Sequence, residues 1–155
     1  MGITVRPIGR IQGGTVRLHK RWTKALDGIE GFSHLIVLFW LHEAHRPSLK
    51  IHPKGVKQIP KIGYLATRTP HRANPIGVTV VRLFKRRGSI LFVEGLDAWD
   101  GTPVLDVKPY TKKDSIRRLR MPGWVSLLDK AETDPLRKYV SGNDSGLARR
   151  ATTEI

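Results

Sequence analysis

Short apolar runs separated by turn residues make up most of the chain, and few segments have a helical period. Runs of this length predict β-strands, the first being bent or at an edge because it contains a proline. Residues 76–86 and 89–95 predict a hairpin that turns at Arg87-Gly88. Together the pattern predicts a mainly β protein, a small closed β-barrel with short helices. Strands are expected at 3–11, 15–18, 34–42, 62–67, 76–86, 89–95 and 103–108.

The segments between and after these runs predict little regular structure. Residues 22–31 indicate a short helix or turn, and residues 45–61, rich in Pro, Lys and His, indicate a loop. Beyond residue 111 the apolar content falls, and only Trp124, Leu127 and Leu128 suit a helix that docks on the barrel. Residues 141–155 are expected to fray. The sequence therefore predicts a barrel domain at 1–110 and a basic, partly helical C-terminal extension at 111–155.

Composition changes this picture by adding a strong charge. The 155 residues include 28 Lys and Arg against 13 Asp and Glu, a formal net charge of +15. Such a surplus favours polyanionic partners, nucleic acid above all, with a solvated surface or an acidic protein partner as alternatives. Residues 88–107 contain no Lys or Arg but four acids, so one acidic segment interrupts a basic surface. These acids are Glu94, Asp97, Asp100 and Asp106.

Several classes of protein are disfavoured. The longest apolar run, 35–41, is far too short for a membrane helix, and no charged-then-apolar leader opens the chain. The absence of cysteine excludes disulfides, Cys-ligated zinc, iron–sulfur clusters and a thiol nucleophile. No phosphate-binding glycine loop, dinucleotide fingerprint or Gly-x-Ser-x-Gly elbow is present, and the six histidines lack metal-site spacing. We therefore expect a soluble, cytoplasmic protein without a metal and without a Rossmann-type site.

Two loops carry the candidate chemistry. Residues 68–77 (RTPHRANPIG) combine two prolines and a glycine with side chains that can donate to phosphates, carboxylates or base edges. Residues 97–110 contain a strong turn signal at Asp100-Gly101, where Asp97 and Asp100 could accept hydrogen bonds from a ribose or an ammonium group. A solvated surface loop and a pair of turn-capping acids are the alternative interpretations.

Three segments in order resemble the TsaA/TrmO family. They read IEGFSHLIVLFW (29–40), ATRTPHRANPIG (66–77) and GLDAWDGTPVLDVKPY (95–110), and the resemblance runs from about Thr4 to Tyr110. It implies a β-barrel methyltransferase that uses S-adenosyl-L-methionine and works as a homodimer. It also implies a tRNA substrate, with methylation at N6 of a threonylcarbamoyl-modified adenosine in the anticodon loop of threonine tRNA.

The resemblance also implies roles for individual residues. Cofactor contacts would fall on His42, Glu43, Arg68, Val78, Asp100, Gly101, Thr102 and Pro103. Asn74 and Tyr110 are the catalytic candidates. Asn74-Pro75 is similar to the motif that holds the target amine in unrelated N6-adenine methyltransferases; the alternative is that it is only a structural turn. For Tyr110 the two alternatives are that it stacks on a base or that it fills the end of the barrel. Contacts to tRNA would come from Arg72, Lys85, Arg86, Arg87, Lys112 and Lys113.

The chain departs from the family pattern after its first strand. Relatives carry a loop of about twenty residues there, which supplies part of the cofactor site, whereas residues 8–15 pass almost directly to the next strand. Ala73 also stands where relatives have proline. Two further functions therefore remain open: a small-molecule methyltransferase on the same barrel, and a tRNA- or RNA-binding module without catalysis.

Overall fold

The computed structural model describes residues 2–133, with side chains through residue 130. Six strands form a closed antiparallel barrel in the order β1-β2-β7-β6-β3-β8, and β8 pairs with β1 to complete it. Two further strands, β4 and β5, form a separate small sheet. The strands are β1 (Gly9–Gln12), β2 (Thr15–Leu18), β3 (His34–Trp40), β4 (Lys50–Ile51), β5 (Ile62–Gly63), β6 (Ile76–Arg87), β7 (Ile90–Glu94) and β8 (Pro103–Pro109).

The predicted fold class is confirmed, and several element boundaries need correction. Strand β1 begins only at Gly9, because residues 3–8, which include Pro7, adopt no strand in the structure. The expected strand 62–67 is a two-residue strand followed by a 3₁₀ turn at Tyr64–Ala66, and its partner β4 lies within the predicted loop 45–61. The helix or turn expected at 22–31 is two 3₁₀ segments, Lys20–Leu26 and Ile29–Gly31.

Two tight turns join consecutive barrel strands. Gly13 and Gly14 both have positive φ, 57° and 65°, between β1 and β2, which is the backbone that a type I′ hairpin requires. The β6–β7 turn comprises Gly88 and Ser89, because Arg87 still pairs with Ile90. This turn is one residue later than predicted, and it has positive φ at its first central position, where glycine is favoured.

The inside of the barrel is filled by every second residue of the strands. On β3, Leu35, Val37 and Phe39 are buried while their neighbours are partly exposed, as strand alternation requires. Leu26 and Ile29, from the two 3₁₀ segments, join this core. The buried cluster comprises Ile11, Val16, Leu18, Leu26, Ile29, Leu35, Val37, Phe39, Val81, Leu83, Leu91 and Val104.

Strand register sorts the connections onto two ends of the barrel. Trp40 pairs with Ile76, Phe39 with Val104, and Arg10 with Pro103, so the segments following β3 and preceding β6 and β8 lie together. We call this the loop end; it also holds the Gly13-Gly14 turn. The opposite end holds the Gly88-Ser89 turn, the two 3₁₀ segments and Tyr110, whose amide donates to the carbonyl oxygen of His34.

The segment after the barrel contains one helix, α1 (Trp124–Thr133), where the sequence predicted it. Trp124 and Leu128, one turn apart, are half-buried, whereas Leu127 remains 48% exposed. The division into a barrel domain and an extension stays a prediction, and the fraying expected at 141–155 falls outside the described residues. Among residues 2–133, no helix is long and apolar enough to cross a membrane.

Gly77 provides a test of the packing inside the barrel. It pairs with Phe39, and a Cβ at Gly77 would overlap the buried phenyl ring. We expect Gly77→Ala to lower the free energy of unfolding by about 1–3 kcal/mol, because the ring would have to shift against the other buried side chains of the core. Urea denaturation measures the change. Gly31→Ala is the control, since nothing lies near its Cβ and its φ is not positive. Equal stability of the two variants would contradict this account of Gly77.

Candidate functional site

The loop end of the barrel brings together three segments that the sequence singled out separately. His42 and Glu43 directly follow β3, Arg68 and Asn74 precede β6, and residues 97–102 precede β8. These segments are far apart in the chain, and the pairing of β3 with both β6 and β8 makes them neighbours. The candidate functional site therefore consists of chain connections held by rigid strands, the usual arrangement for catalytic and binding residues.

Arg68 and Asn74 belong to a loop with extensive internal support. Arg68 Nη2 donates to the carbonyl oxygen of Val78 at 3.2 Å, which joins two of the expected cofactor residues. The carbonyl oxygen of Asn74 accepts from the amide of Ile76 at 2.7 Å, and that of Pro75 accepts from the amide of Leu41 at 2.7 Å. Asn74-Pro75 is thus a structural turn that links β6 to the end of β3, while the Asn74 side chain stays exposed.

Arg72 supports the same loop from within. Its Nη1 lies 2.8 Å from the carbonyl oxygen of Thr67 and 3.4 Å from those of Tyr64 and Thr69. Its guanidinium also lies 5.7 Å from the centroid of the Tyr64 ring. Arg72, expected to contact tRNA, is half-buried and holds the backbone of residues 64–69. Any contact it makes with RNA adds to this structural role.

A pair of histidines connects this loop to the segment after β3. The rings of His45 and His71 stack with their centroids 5.6 Å apart, and the amide of His45 donates to His71 Nδ1 at 3.0 Å. Next to them, His42 Nε2 and Glu43 Oε1 are 3.3 Å apart. The segment after β3 therefore presents a carboxylate and imidazoles, groups able to accept or donate a proton.

The Asp100 loop is anchored to the short β1–β2 turn. Asp100 Oδ1 accepts from the amide of Gly13 at 2.9 Å, the Gly101 amide donates to the Ile11 carbonyl at 2.8 Å, and the Ile11 amide donates to the Thr102 carbonyl at 2.9 Å. Gly101 has a φ of 85°, which favours glycine, and Thr102 is buried. The β1 strand and the Gly13-Gly14 turn thus fix the position of residues 100–102.

Apolar residues cover the outside of the barrel next to the loop end, a feature that the sequence analysis missed. Ile76, Val78 and Val80 point outward from β6 and are 41–47% exposed. Their Cα partners on β3 are Trp40, Leu38 and Ile36, all half-buried and on the same side of the sheet. These six residues form what we call the apolar face. The uninterrupted apolar run 35–41, which makes both sides of β3 apolar, is the sequence signal that could have revealed it.

Val78 ties the candidate site to this apolar face. Its side chain points outward and its carbonyl oxygen binds Arg68, so the expected cofactor residues border the outer wall rather than the barrel interior, which is filled. Trp99, in the Asp100 loop, adds an indole that is 56% exposed. Large exposed apolar surface of this kind marks sites for ligands or other macromolecules.

Tyr110 does not join the loop end. It lies at the opposite end with its ring 6.5 Å from that of His34, in an edge-on arrangement. His34 and Trp40 are six positions apart on β3, so about 20 Å separate Tyr110 from the Asn74 turn. Within one chain the structure therefore separates the two catalytic candidates, and Tyr110 is half-buried on the outer wall instead of filling the barrel.

The basic residues expected to bind tRNA fall into two groups. Lys85, Arg87, Lys112 and Lys113 are exposed, the last two in a 3₁₀ turn. Arg86, by contrast, has a side chain only 12% exposed, and its guanidinium donates to the carbonyl oxygens of Thr23 and Leu26 at 2.9 and 3.1 Å. It also lies 3.2 Å from Asp27 and 3.4 Å from Glu30. The donors of Arg86 therefore hold the 3₁₀ segments, and a contact between Arg86 and tRNA stays a prediction.

The acidic segment 88–107 is also less uniform than its sequence indicates. Lys108 Nζ lies 2.6 Å from Asp106 Oδ2, and this hydrogen bond, with the attraction of the carboxylate, raises the pKa of Lys108. The ammonium therefore stays protonated at neutral pH and compensates the charge of Asp106. Asp97 and Asp100, in the loop before β8, keep acidic character at the loop end.

The residues at the loop end suit a cofactor that combines a cation with an aromatic ring. Glu43, Asp97 and Asp100 supply carboxylates that favour a positive charge, while Val78 and Trp99 offer exposed apolar and aromatic surface. S-Adenosyl-L-methionine has both features, a sulfonium and an adenine. In residues 2–133 no group of three or more His, Cys, Asp or Glu side chains has the arrangement to hold a metal ion.

Arg86 gives a test of the distinction between structural and surface arginines. We expect Arg86→Met to reduce the free energy of unfolding by about 1–3 kcal/mol, because the backbone carbonyls of Thr23, Leu26 and Gly88 lose their donor. Arg87→Met, its exposed neighbour, should change it by less than about 0.5 kcal/mol. Chemical denaturation followed by far-UV circular dichroism measures both. A stable Arg86→Met variant with impaired RNA binding would show that Arg86 contacts RNA and does not mainly support the fold.

Comparison with known proteins agrees with this geometry. The family model described as the tRNA-methyltransferase O N-terminal domain matches residues 7–115. A crystal structure of TrmO from Pseudomonas aeruginosa superposes with a TM-score of 0.66 at 32% identity, covering 80% of this chain and 62% of that one.

Curated relatives carry names that refer to the cofactor. Two proteins named "Probable S-adenosyl-L-methionine-binding protein" are similar to this chain, from Pyrococcus abyssi at 41% identity and from Archaeoglobus fulgidus at 44%. The matches cover 78% and 75% of this chain, but 67% and 32% of those proteins. On the family match and the structural similarity together, the chain belongs to the TsaA/TrmO family of S-adenosylmethionine-dependent methyltransferases.

Proposed function

We propose that this protein uses S-adenosyl-L-methionine to methylate N6 of an adenosine in the anticodon loop of a tRNA. The preferred substrate is the threonylcarbamoyl-modified adenosine of threonine tRNA, and the reaction takes place in the cytoplasm. The observation that carries the proposal is the meeting of the three family segments at the loop end of one barrel. The chain spans only part of several longer relatives. The proposed substrate is therefore inferred from this site and from the family, and not from those whole proteins.

The cofactor would be held at the border between the loops and the apolar face. His42, Glu43, Arg68 and Val78 form one side of this site, and residues 100–103 form the other. When bound, S-adenosyl-L-methionine supplies an electrophilic methyl group on a sulfonium. The carboxylates of Glu43 and Asp100 favour that cation, and the side chain of Val78 offers an apolar surface to the adenine.

The chain's own contribution to catalysis is positioning and removal of a proton. Methylation of an N–H group requires the nitrogen to lie in line with the methyl donor and to lose its proton to a base. The exposed Asn74 amide is able to bind the N6 region of the base by hydrogen bonds. Glu43 and His42 follow β3 directly, with Glu43 Oε1 3.3 Å from His42 Nε2, and either group can accept the proton.

The apolar face leads us to propose a homodimer. Each chain carries a net charge of +15, so two copies repel each other overall, and a stable contact requires a surface with few charges. The apolar face is such a surface, and a two-fold axis would pair it with itself. If the two β6 strands run antiparallel across that axis, the opposite end of one copy covers the loop end of the other. Tyr110 of the partner subunit would then approach Asn74.

Methyl transfer to tRNA is the direct test of the proposed reaction. Labelled methyl from S-adenosyl-L-methionine should appear in threonine tRNA that carries the threonylcarbamoyl group, and nucleoside analysis should locate it at N6. We expect Arg68→Ala to reduce the rate roughly ten- to a hundredfold, because the loop that holds Asn74 loses its link to Val78. Arg46→Ala, an exposed arginine of the neighbouring loop without a described role, should keep the wild-type rate.

Calorimetric titration with S-adenosyl-L-methionine separates the alternatives. Binding of the cofactor without methylation of any tRNA would favour a small-molecule methyltransferase. The cofactor titration is repeated with tRNA present. A protein that binds tRNA but shows no cofactor affinity in either titration would favour a non-catalytic RNA-binding module. Full activity of Arg68→Ala would remove Arg68 from the site.

The dimer is tested by placing a charge in the apolar face. We expect Val80→Glu to convert the dimer to a monomer in sedimentation experiments, because the interface would bury an unpaired carboxylate. Leu49→Glu is the matched control: Leu49 is apolar and 82% exposed but lies outside the apolar face. A wild-type monomer, or a Val80→Glu variant that still dimerises, would contradict the proposed interface.

A further inference from the structure

A row of arginines crosses the outer wall of the barrel away from the apolar face. Arg10 on β1 pairs directly with Arg17 on β2, Arg17 pairs with Ile90 on β7, and Ile90 pairs with Arg87 on β6. All three arginines are exposed. At about 4.8 Å between strands, the row spans about 14 Å across four strands. We call Arg10, Arg17 and Arg87 the arginine row.

The arginine row has no internal compensation for its charge. None of its members forms an ion pair with a carboxylate within residues 2–130, and Arg17 Nε donates only to the Thr15 hydroxyl, at 3.3 Å. Like charges directly opposite each other on a sheet destabilise it. Arg10 and Arg17 are such a pair, so the arrangement opposes folding and is relieved when an anion binds across it.

Aromatic and cationic groups continue the row in two directions. On one side, Lys85 Nζ lies 4.8 Å from the centroid of the Phe92 ring, the next outward position along β7. On the other side, toward the opposite end of the barrel, the chain forms an open pocket of about 420 Å³. We call it the Trp22 pocket; it is lined by Arg6, Pro7, Ile8, Arg21 and Trp22.

The Trp22 pocket combines a flat apolar surface with positive charge. The indole of Trp22 is 38% exposed, and the Arg21 guanidinium lies 5.2 Å from its centroid. Arg6 adds a second guanidinium. Hydrogen bonds between the His19 amide and the Ile8 carbonyl, and between the Trp22 amide and the His19 carbonyl, fix the pocket beside the start of β1. Arg10 lies two residues beyond Ile8, so the pocket and the row are adjacent.

We propose that the arginine row and the Trp22 pocket form one binding surface for single-stranded RNA, with the backbone on the row and an unstacked base in the pocket. This inference rests on the proposed tRNA substrate and locates a contact away from the loop end. Guanidiniums recognise phosphates by paired hydrogen bonds, and bases stack on aromatic rings and on arginine planes. An acidic peptide would match the row but leave the indole without a planar partner.

The position of this surface gives it an anchoring role. The Trp22 pocket lies beside the start of β1 and the end of β2, at the opposite end of the barrel from the Asn74 turn. A nucleotide bound there is remote from the methylated base. The surface would therefore raise the affinity for RNA and fix its orientation, without contacting the cofactor site.

Salt-dependent binding of a tRNA transcript tests the arginine row. We expect Arg10→Gln combined with Arg17→Gln to weaken binding roughly tenfold at moderate salt. The slope of log affinity against log salt should become shallower by about 1.5, as for two lost phosphate contacts. The matched control is Arg117→Gln combined with Arg118→Gln, two exposed arginines after the barrel. An equal loss in both double variants would show a general effect of net charge and overturn the proposed surface.

The Trp22 pocket is tested with a short single-stranded RNA and the corresponding duplex. Trp22→Ala should weaken binding of the single strand roughly tenfold and leave duplex binding unchanged, because a duplex offers no unstacked base. Trp22→Phe should retain most of the single-strand affinity. Far-UV circular dichroism and cofactor binding confirm that each variant is folded. Equal loss on both RNAs, or no loss on the single strand, would overturn the role of the pocket.

The two proposals fail in different ways. If the wild-type protein methylates tRNA and the Arg10/Arg17 double variant binds tRNA like the wild type, the proposed RNA-binding surface is wrong and the proposed methylation reaction is supported. If the double variant loses its affinity for RNA while the wild type binds RNA but methylates none, the proposed RNA-binding surface is supported and the proposed reaction is wrong.

Discussion

The pairing of β3 with β6 on one side and β8 on the other is the constraint on which the rest of the structure depends. Seven consecutive residue pairs join β3 to β6, and five join β3 to β8. An antiparallel barrel permits each connection to return at only one end, so this register decides which segments become neighbours. It brings the segments after β3, before β6 and before β8 to the loop end, and it places Tyr110 at the other.

Strand β6 gives the barrel two different outer surfaces. Its first half contributes Ile76, Val78 and Val80 to the apolar face, and its last residue contributes Arg87 to the arginine row. Between them the β6–β7 register shifts between Leu83 and Lys85, a bulge that leaves Phe84 unpaired. One long strand therefore separates the surface proposed for a second copy and the cofactor from the surface proposed for RNA.

The same bulge explains why the three consecutive basic residues 85–87 differ in role, two being exposed to solvent and one supporting the fold. After the bulge, Lys85 and Arg87 point outward, whereas Arg86 points toward the 3₁₀ segments and donates to their carbonyl oxygens. In the sequence these three residues are equivalent, because charge and composition do not reveal the side of a strand on which a residue lies. An irregularity of register, invisible in a single sequence, decides which cation meets solvent.

The sequence by itself determined the fold class, the approximate positions of the barrel strands, the hairpin that turns near Gly88 and the motifs that identify the family. These follow from local properties: alternation, apolar run length and the backbone freedom of glycine. Only the tertiary structure decided that Asn74 and Tyr110 lie apart, that Asp106 is paired with Lys108, that Arg86 is structural, and that Arg10 meets Arg17 beside the Trp22 pocket. The physical reason is that each of these facts depends on the register between strands. Register is set by the closure of the whole barrel and by its bulges, which no local stretch of sequence contains.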